Sequence, residues 1–327
     1  MNILYSIQAT GNGHISRAME LLPHLQNYGS VDLFLSGSNS NLPLNAPVKY
    51  RSRGLSLFYN CSGGLNYWKM MKSFQPWQLR REIRELPVEK YDLIINDFEH
   101  ITAAACALKN IPSVNYGHQA SFMSANTPRP DQVNRTGEFI LRNYAKASRY
   151  VGLHFQPYDD FIFTPVIKND ILKAQPTDKG HITVYLPAYC EKQLNEIFTP
   201  LTDYRFEIFS GETKTVRRAE HIQWLPVNKH LFNNRLIHCH AIICGAGFET
   251  PAEALHLQKK IMAIPIRSQY EQQCNAAALR KMGISTLEKI DNQFKEKMEH
   301  WLQQRQHIRV DYRNSIAESI RVVLDSK

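Results

Sequence analysis

His14 stands in "ATGNGHISRAMEL", Ala9 to Leu21, where the first apolar strand of the chain runs through Gly11, Asn12 and Gly13 toward a helix. An imidazole at the carboxyl edge of a sheet, beside glycines that permit close approach, can accept a proton near neutral pH. The same placement also suits a histidine that only braces the turn. Asp97 ends the apolar run "YDLIIND" on the same edge. Its carboxylate can orient His14 by accepting the other ring N–H, or it can cap the helix that follows. Glu99, His100 and His118 share that neighbourhood as alternative partners. A dinucleotide fingerprint would place glycine where Ser16 stands and an acid where Ser36 stands, so this turn departs from a nicotinamide-binding one.

A second constellation lies in "ICGAGFETPAEAL", Ile243 to Leu255. Gly245 and Gly247 allow the backbone close approach to a ligand, and Pro251 suits the first turn of a helix. Free N–H groups at a positive helix end bind phosphate. Downstream, "PIRSQYEQQCNAAAL" puts Glu271, Gln272 and Asn275 at the mouth of another helix. Acids and amides there can hold sugar hydroxyls, as Glu253 can hold a ribose; as isolated residues they would be ordinary helix caps.

The elements that must position these groups alternate in type. "NILYSI", a helix from about Ser16 to Tyr28, "SVDLFLSG", "YDLIIND", the helix "HITAAACALKN" and "IPSVNYG" make parallel βαβ units. "HITVYLP", "YRFEIFSG", "HIQWLP", "HAIICGAG", a helix from Pro251 and "KKIMAIP" repeat the rhythm. The chain reads as two doubly wound α/β domains, 1–173 and 180–305, with the ligand site in the cleft between them. The stretch "QPYDDFIFTPVIKNDILKAQPTDKG" is read as the last strand of the first domain and the linker, with the boundary near Lys173 to Lys179. The amphipathic tail, about 311–327, is expected to pack back on the first domain.

A length of 327 residues favours two domains over one core. The apolar runs fall far short of the roughly 20 residues a membrane span needs, and "MNILYSI" enters a strand without an export signal. Six scattered cysteines form no metal or redox pair, which points to a reduced, cytoplasmic protein. The net charge of +9 favours phosphate-bearing ligands or an anionic membrane; no nucleic-acid-binding signature accompanies it. In "LNYWKMMKSFQPWQLRREIREL", Leu65 to Leu86, Tyr67, Met70, Met71, Phe74 and Trp77 recur beside Lys69, Lys72, Arg80, Arg81 and Arg84. The stretch reads either as a packed helix interrupted at Pro76 or as a basic-aromatic face for peripheral contact with the inner face of the cytoplasmic membrane.

Cys244, Gly245, Ala246, Gly247, Thr250, Glu253, Ala254 and Leu255, followed by Pro265, Glu271, Gln272, Asn275 and Ala276, resemble the donor-binding signature of nucleotide-sugar glycosyltransferases of the two-Rossmann, GT-B fold. "TGNGHISRAMEL" is similar to the N-terminal glycine-rich loop of that group, which includes plant and antibiotic glycosyltransferases and the N-acetylglucosaminyltransferase of peptidoglycan synthesis. The resemblance implies an inverting, metal-independent hexosyltransferase without cofactor. It would pass sugar from a nucleotide donor, expected to be a UDP-sugar, to a hydroxyl acceptor of a lipid-linked or cell-envelope type. His14 and Asp97 would be catalytic. The backbone from Gly245 through Ala246 and Gly247 to Thr250 would meet the diphosphate, Glu253 the ribose, Glu271 and Gln272 the sugar and Trp224 in "IQWLP" the base, with Gly13 and Asn275 also binding the donor. Many members carry histidine where Gly245 stands, which leaves phosphate contact to backbone and to Arg17 or Arg267. A sugar-nucleotide 2-epimerase and a non-catalytic sugar-nucleotide sensor are the competing readings.

Overall fold

Apolar runs, buried along most of their length, become the central strands, and helices between many of them cover the faces of the sheets. The computed structural model describes residues 1–327 except 10, 38–43, 45, 55–60, 62, 65–67, 69–74, 307, 314, 326 and 327. Tyr67, Lys69, Met70, Met71, Lys72 and Phe74 of the basic-aromatic stretch therefore lie outside the described residues.

The first sheet holds β1 (Asn2–Gln8), β2 (Ser30–Ser36), β3 (Tyr50–Ser52), β4 (Leu93–Asp97), β5 (Val114–Gly117), β6 (Arg149–Leu153) and β7 (Ile162–Phe163). Their order is β3-β2-β1-β4-β5-β6-β7, and all pairs are parallel. The second sheet holds β8 (His181–Tyr185), β9 (Arg205–Ser210), β10 (Arg217–Ala219), β11 (Ile222–Pro226), β12 (Ala241–Gly245), β13 (Lys260–Ile264) and β14 (Ser285–Thr286), in the order β10-β11-β9-β8-β12-β13-β14. Only the pair β10·β11 is antiparallel.

Strand order reverses direction between β1 and β4 in one sheet and between β8 and β12 in the other. Ligands of open α/β sheets bind outside the carboxyl ends at such reversals, where the connecting loops part. Register fixes what stands there. Ile7 lies opposite Asp97, so the turn after β1 and the end of β4 come level; Cys244 lies opposite Tyr185, which brings the loop after β12 to the end of β8.

The helices are α1 (Asn12–Gln26), α2 (Pro76–Glu85), α3 (His100–Lys109), α4 (Arg135–Asn143), α5 (Asn169–Leu172), α6 (Glu191–Phe198), α7 (Lys229–His238), α8 (Glu249–His256), α9 (Tyr270–Lys281), α10 (Phe294–Gln303) and α11 (Ser315–Leu324). α1 presses Ile15, Ala18, Leu21, Leu22 and Leu25 onto Ile3, Tyr5 and Ile7, while Leu4 and Ile94 face the opposite layer with Ile101, Ala105 and Cys106 of α3. β8 and β12 likewise pack Ile182, Val184 and Ile243 against Leu194 and Phe198 of α6 and Met298 of α10. α11 lies on the first sheet, with Ser319 Oγ 2.7 Å from Tyr116 Oη and Ser315 Oγ donating to the Pro165 carbonyl.

Four boundaries differ from the sequence reading. α1 begins at Asn12 rather than near Ser16, because Gly11 is the extended residue before the helix and Gly13 continues in it. α8 begins at Glu249; Pro251 is its third residue, still inside the turn where no N–H is needed. The stretch read as last strand and linker also carries α5, tied to the first domain by Glu20, which accepts from the Asn169 N–H. α2 starts at Pro76, the one helical position suited to proline, and buries none of its residues.

Candidate active site

The cleft between the two sheets has a volume of about 760 Å³, and its walls come from both halves. From the first half come the turn Gly11–His14, Phe98, Gln119 and α4; from the second come Val227 and Asn228, the loop Gly247–Thr250, Glu253 and the segment Ser268–Gln272.

His14 is the third residue of α1, so helix geometry aims it over the carboxyl ends of β1 and β4. Its Nδ1 lies 3.0 Å from Asp97 Oδ1, and the side chain is 13% exposed. Arg17 sits one helical turn on, on the same face. Its guanidinium donates from Nε to Asp97 Oδ2 at 3.2 Å and from Nη2 to Oδ1 at 2.7 Å and Oδ2 at 2.9 Å. Nη2 also lies 3.0 Å from His14 Nδ1. An arginine nitrogen has only protons to offer, and a carboxylate accepts better than an imidazole nitrogen. In the tautomer whose Nδ1–H donates to Asp97, the Nε2 lone pair is the basic one.

Asp97 is buried, and burial, the largest influence, raises its pKa; Arg17 and His14 overcome this and hold it at about 2. Burial, again the largest influence, lowers the His14 pKa, but the charge and hydrogen bond of Asp97 outweigh it, Arg17 opposes and Glu249 assists, and the net shift is upward. The alternative helix-capping role belongs to Glu99, whose carboxylate accepts from the N–H groups of Ile101 and Thr102. The other candidate partners of His14 are also engaged elsewhere. His100 faces the Tyr144 carbonyl, and His118 faces the Leu153 carbonyl and Asn275.

Across the cleft, the loop after β12 leads into α8. The N–H groups of Glu249 and Thr250 point out of the first turn with no intrahelical acceptor, and a Cβ at Gly247 would meet nothing within 4 Å. Glu253, one turn further, is 2% exposed and accepts from Lys168 Nζ at 3.0 Å; the same ammonium donates to Asn233 Oδ1 at 3.0 Å. Burial raises the Glu253 pKa, Lys168 lowers it, and the net is upward. Glu271 accepts from Gln119 of the first half at 3.0 Å, and Gln272 Oε1 accepts from the Ile266 N–H.

Gly13, His14, Gly247, Thr250, Glu253, Glu271 and Gln272 thus meet in one cleft. Other expected residues stand elsewhere. Trp224 is buried with Leu194 and Phe198, because alternation along β11 turns it away from the cleft, and the guanidinium of Arg217 covers its ring at 4.9 Å. Val227 and Asn228, just beyond β11, line the wall instead. Ala246 is buried, its N–H spent on the Ile264 carbonyl and its carbonyl on Asn275. Asn275 is buried as well, joining Ala246 to His118, so it braces two halves rather than facing a sugar. Gly245 lies behind the loop, with room for a Cβ at ordinary contact distance from Gln272, Ile264 and Pro187. Arg17 is 2% exposed and committed to carboxylates, so it does not reach a phosphate as proposed from the sequence.

Lys168, Glu249 and the carboxylate-bridging role of Arg17 escaped the sequence reading. Arg17 had a signal, three residues after His14; Glu249 stands before the helix that the sequence reading began at Pro251, and Lys168 lies in the segment read as the last strand of the first domain and the linker.

The sequence profile described as "Glycosyl transferase family 1" matches residues 1–305. No curated protein matches the chain. Among solved structures, MurG of Acinetobacter baumannii is similar at 15% identity and TM-score 0.56, covering 99% of both chains. Spinosyn forosaminyltransferase SpnP is similar at 11% identity and TM-score 0.58, over 100% of this chain and 95% of that one. Arabidopsis thaliana UGT89C1 in complex with quercetin matches at 12% identity and TM-score 0.58, over 99% and 94%. With two seven-stranded sheets facing a shared cleft and a family profile spanning nearly the whole chain, the protein belongs to glycosyl transferase family 1, as a GT-B glycosyltransferase that moves a sugar from a nucleotide donor.

Proposed function

We propose that the protein is an inverting transferase that passes the sugar of a UDP-sugar to a hydroxyl, with His14 as general base. The observation that carries this reading is the His14–Asp97 pair standing across the cleft from the first turn of α8. An acceptor hydroxyl beside His14 would give its proton to Nε2 as its oxygen bonds the anomeric carbon. The bond from that carbon to the β-phosphate oxygen breaks on the opposite face, and its electron pair leaves with UDP. The N–H groups and positive end of α8 would receive that charge. Glu253 would accept from the ribose hydroxyls, and Glu271 and Gln272 would meet the sugar.

The first-half wall offers Phe98, Ile140, Leu141 and Tyr144, which favours an acceptor with an apolar body. A lipid-linked acceptor fits that wall. It also fits α2, where Trp77 is 80% exposed beside Arg80, Arg81 and Arg84, a composition suited to an anionic cytoplasmic membrane face. Among the described residues no helix is long and apolar enough to cross a membrane.

The test is His14→Ala. Turnover of a UDP-sugar should fall roughly 10²–10⁴-fold, the usual contribution of a placed base, while UDP affinity stays near native because the donor is held by the other half. The rate of the native protein should rise with pH on a limb set above the ordinary imidazole range, following the raised His14 pKa, and the variant should lack that limb. Near-native turnover in a folded variant would end the assignment.

A further inference from the structure

The guanidinium of Arg17 is a bridge with two carboxylates on it. One edge, Nε and Nη2, faces Asp97 of β4; Nη1 donates to Glu249 Oε1, at the start of α8 in the other half. Both Arg17 and Asp97 are almost wholly buried, and Glu249 is 18% exposed. The sequence makes room for this contact. A Cβ on Gly13 would lie 2.2 Å from Glu249 Oε2 and 2.8 Å from its Cδ, so only glycine at that point of α1 lets the acid in undisturbed.

Consider the charges around His14. With Asp97 and Arg17 alone, the carboxylate that should stabilise an imidazolium is matched by a cation 3.0 Å from the same ring nitrogen. Glu249 adds a second negative charge on the far side of that cation. The set of three then carries a net negative charge, and the proton that His14 must take up in the reaction is received by an anionic environment. The groups facing the ring are Asp97 from β4, Arg17 from its own helix and Glu249 from α8; Tyr5 of β1 lies beside Arg17 and Asp97, its phenol pushed well above its ordinary range by burial, and stays neutral. Both carboxylates favour the protonated ring and Arg17 opposes it, as their signs require.

We propose that Glu249 is a positioning residue for the base: docked on Arg17 from the opposite half of the molecule, it offsets the guanidinium and so leaves Asp97 free to support the proton on His14. Basicity in the acceptor-side half is thereby set by a residue of the donor-side half. The inference rests on the reading of His14 as base for its meaning in catalysis, but its physical content, the effect of one side chain on another's titration, can be measured without turnover.

The full chain labelled at histidine carbons is titrated by NMR, with the His14 resonance among the 13 histidines identified by its absence in His14→Asn. Glu249→Gln and Glu249→Ala should both move the His14 midpoint to lower pH than native, since each removes a negative charge; Glu249→Asp, which keeps the charge, should move it less. The two neutral variants differ in packing, so the loss of one to misfolding leaves the other to decide. In UDP-glucose turnover the ascending limb of Glu249→Gln should shift in the same direction, with a plateau lowered by less than the roughly 10²–10⁴-fold that removal of the base costs. A His14 midpoint unchanged in a folded neutral variant overturns the proposal. Failure of the base reading has a different signature, a His14→Asn protein that still turns over UDP-glucose at the native rate.

Discussion

Replacing Lys168 with methionine should weaken donor binding and make what remains depend on pH. The ammonium is 10% exposed, and the carboxylate it holds at 3.0 Å is 2% exposed. At an effective dielectric of about 20 the attraction at that separation is about 5 kcal/mol before the cost of desolvating both groups. Methionine fills much of the lysine volume but leaves Glu253 buried and without its cation. Breaking a buried pair in this way costs about 3–5 kcal/mol of stability if the carboxylate stays ionised. Protonation relieves that cost, because burial already drives the Glu253 pKa upward and only Lys168 pulls strongly against it. A protonated Glu253 is a poorer partner for two ribose hydroxyls, and a charge-assisted contact of this kind contributes about 1.5–3 kcal/mol, or about 10- to 150-fold in affinity. Sign follows from the direction of the shift: UDP affinity falls as pH drops through the Glu253 pKa, and Lys168→Met moves that fall to higher pH. Calorimetric titration with UDP across pH 5.5–8.5 measures it, with Glu253→Ala as the reference that loses the contact at every pH. Native affinity and a native pH profile in folded Lys168→Met would refute the argument. Unchanged affinity in Glu253→Ala would instead remove the ribose assignment.

Two further outcomes follow from other parts of the molecule. Gly13→Ala places a methyl where Glu249 Oε2 now lies, so the carboxylate must leave Arg17; folding should persist, because the obstacle is the end of a flexible side chain, and the His14 midpoint by NMR should move to lower pH as in Glu249→Gln. For the α2 face, binding to vesicles containing an anionic lipid should exceed binding to neutral vesicles and fall with salt, and Trp77→Ala with Arg80→Ala should reduce it; equal binding to both vesicle types would remove the membrane reading.

The alternation of strand and helix, and the two glycine turns at strand ends, were legible because they depend on local sequence. The pairing of His14 with Asp97 was legible only as one of two roles for Asp97, since both sit where the parallel sheet must present its carboxyl edge; the structure chose it over helix capping, which Glu99 performs. What was not legible depends on which half meets which. Trp224 looked like a stacking surface for a base, but period-two alternation placed it on the covered face, and no local signal says which face of a strand looks at the other domain. Asn275 matched a sugar-binding pattern, yet it meets Ala246 and His118, a residue 157 positions away. Lys168 was hidden for the same reason. Its partner is 85 residues away, and a lysine in a Pro- and Asp-rich stretch resembles a solvated linker until the fold folds it inward.

Glu249 and Glu253 stand four residues apart on α8, at the helix end that would receive a diphosphate. Like charges at that spacing repel, and acids lining an anion site oppose the anion. Each is met by one cation from the first half or the segment leaving it, Glu249 by Arg17 and Glu253 by Lys168. Under the proposed reaction both acids would then serve separate uses, Glu253 toward the ribose and Glu249 toward the base, while the N–H groups and dipole of the helix end would still favour phosphate. Because Arg17 belongs to the first half and Lys168 to the segment leaving it, the charge balance at this helix end is a property of the two halves together. With glycine at position 245 and no side-chain donor there, a diphosphate held by this loop as proposed would depend on how completely Arg17 and Lys168 neutralise the two acids beside it.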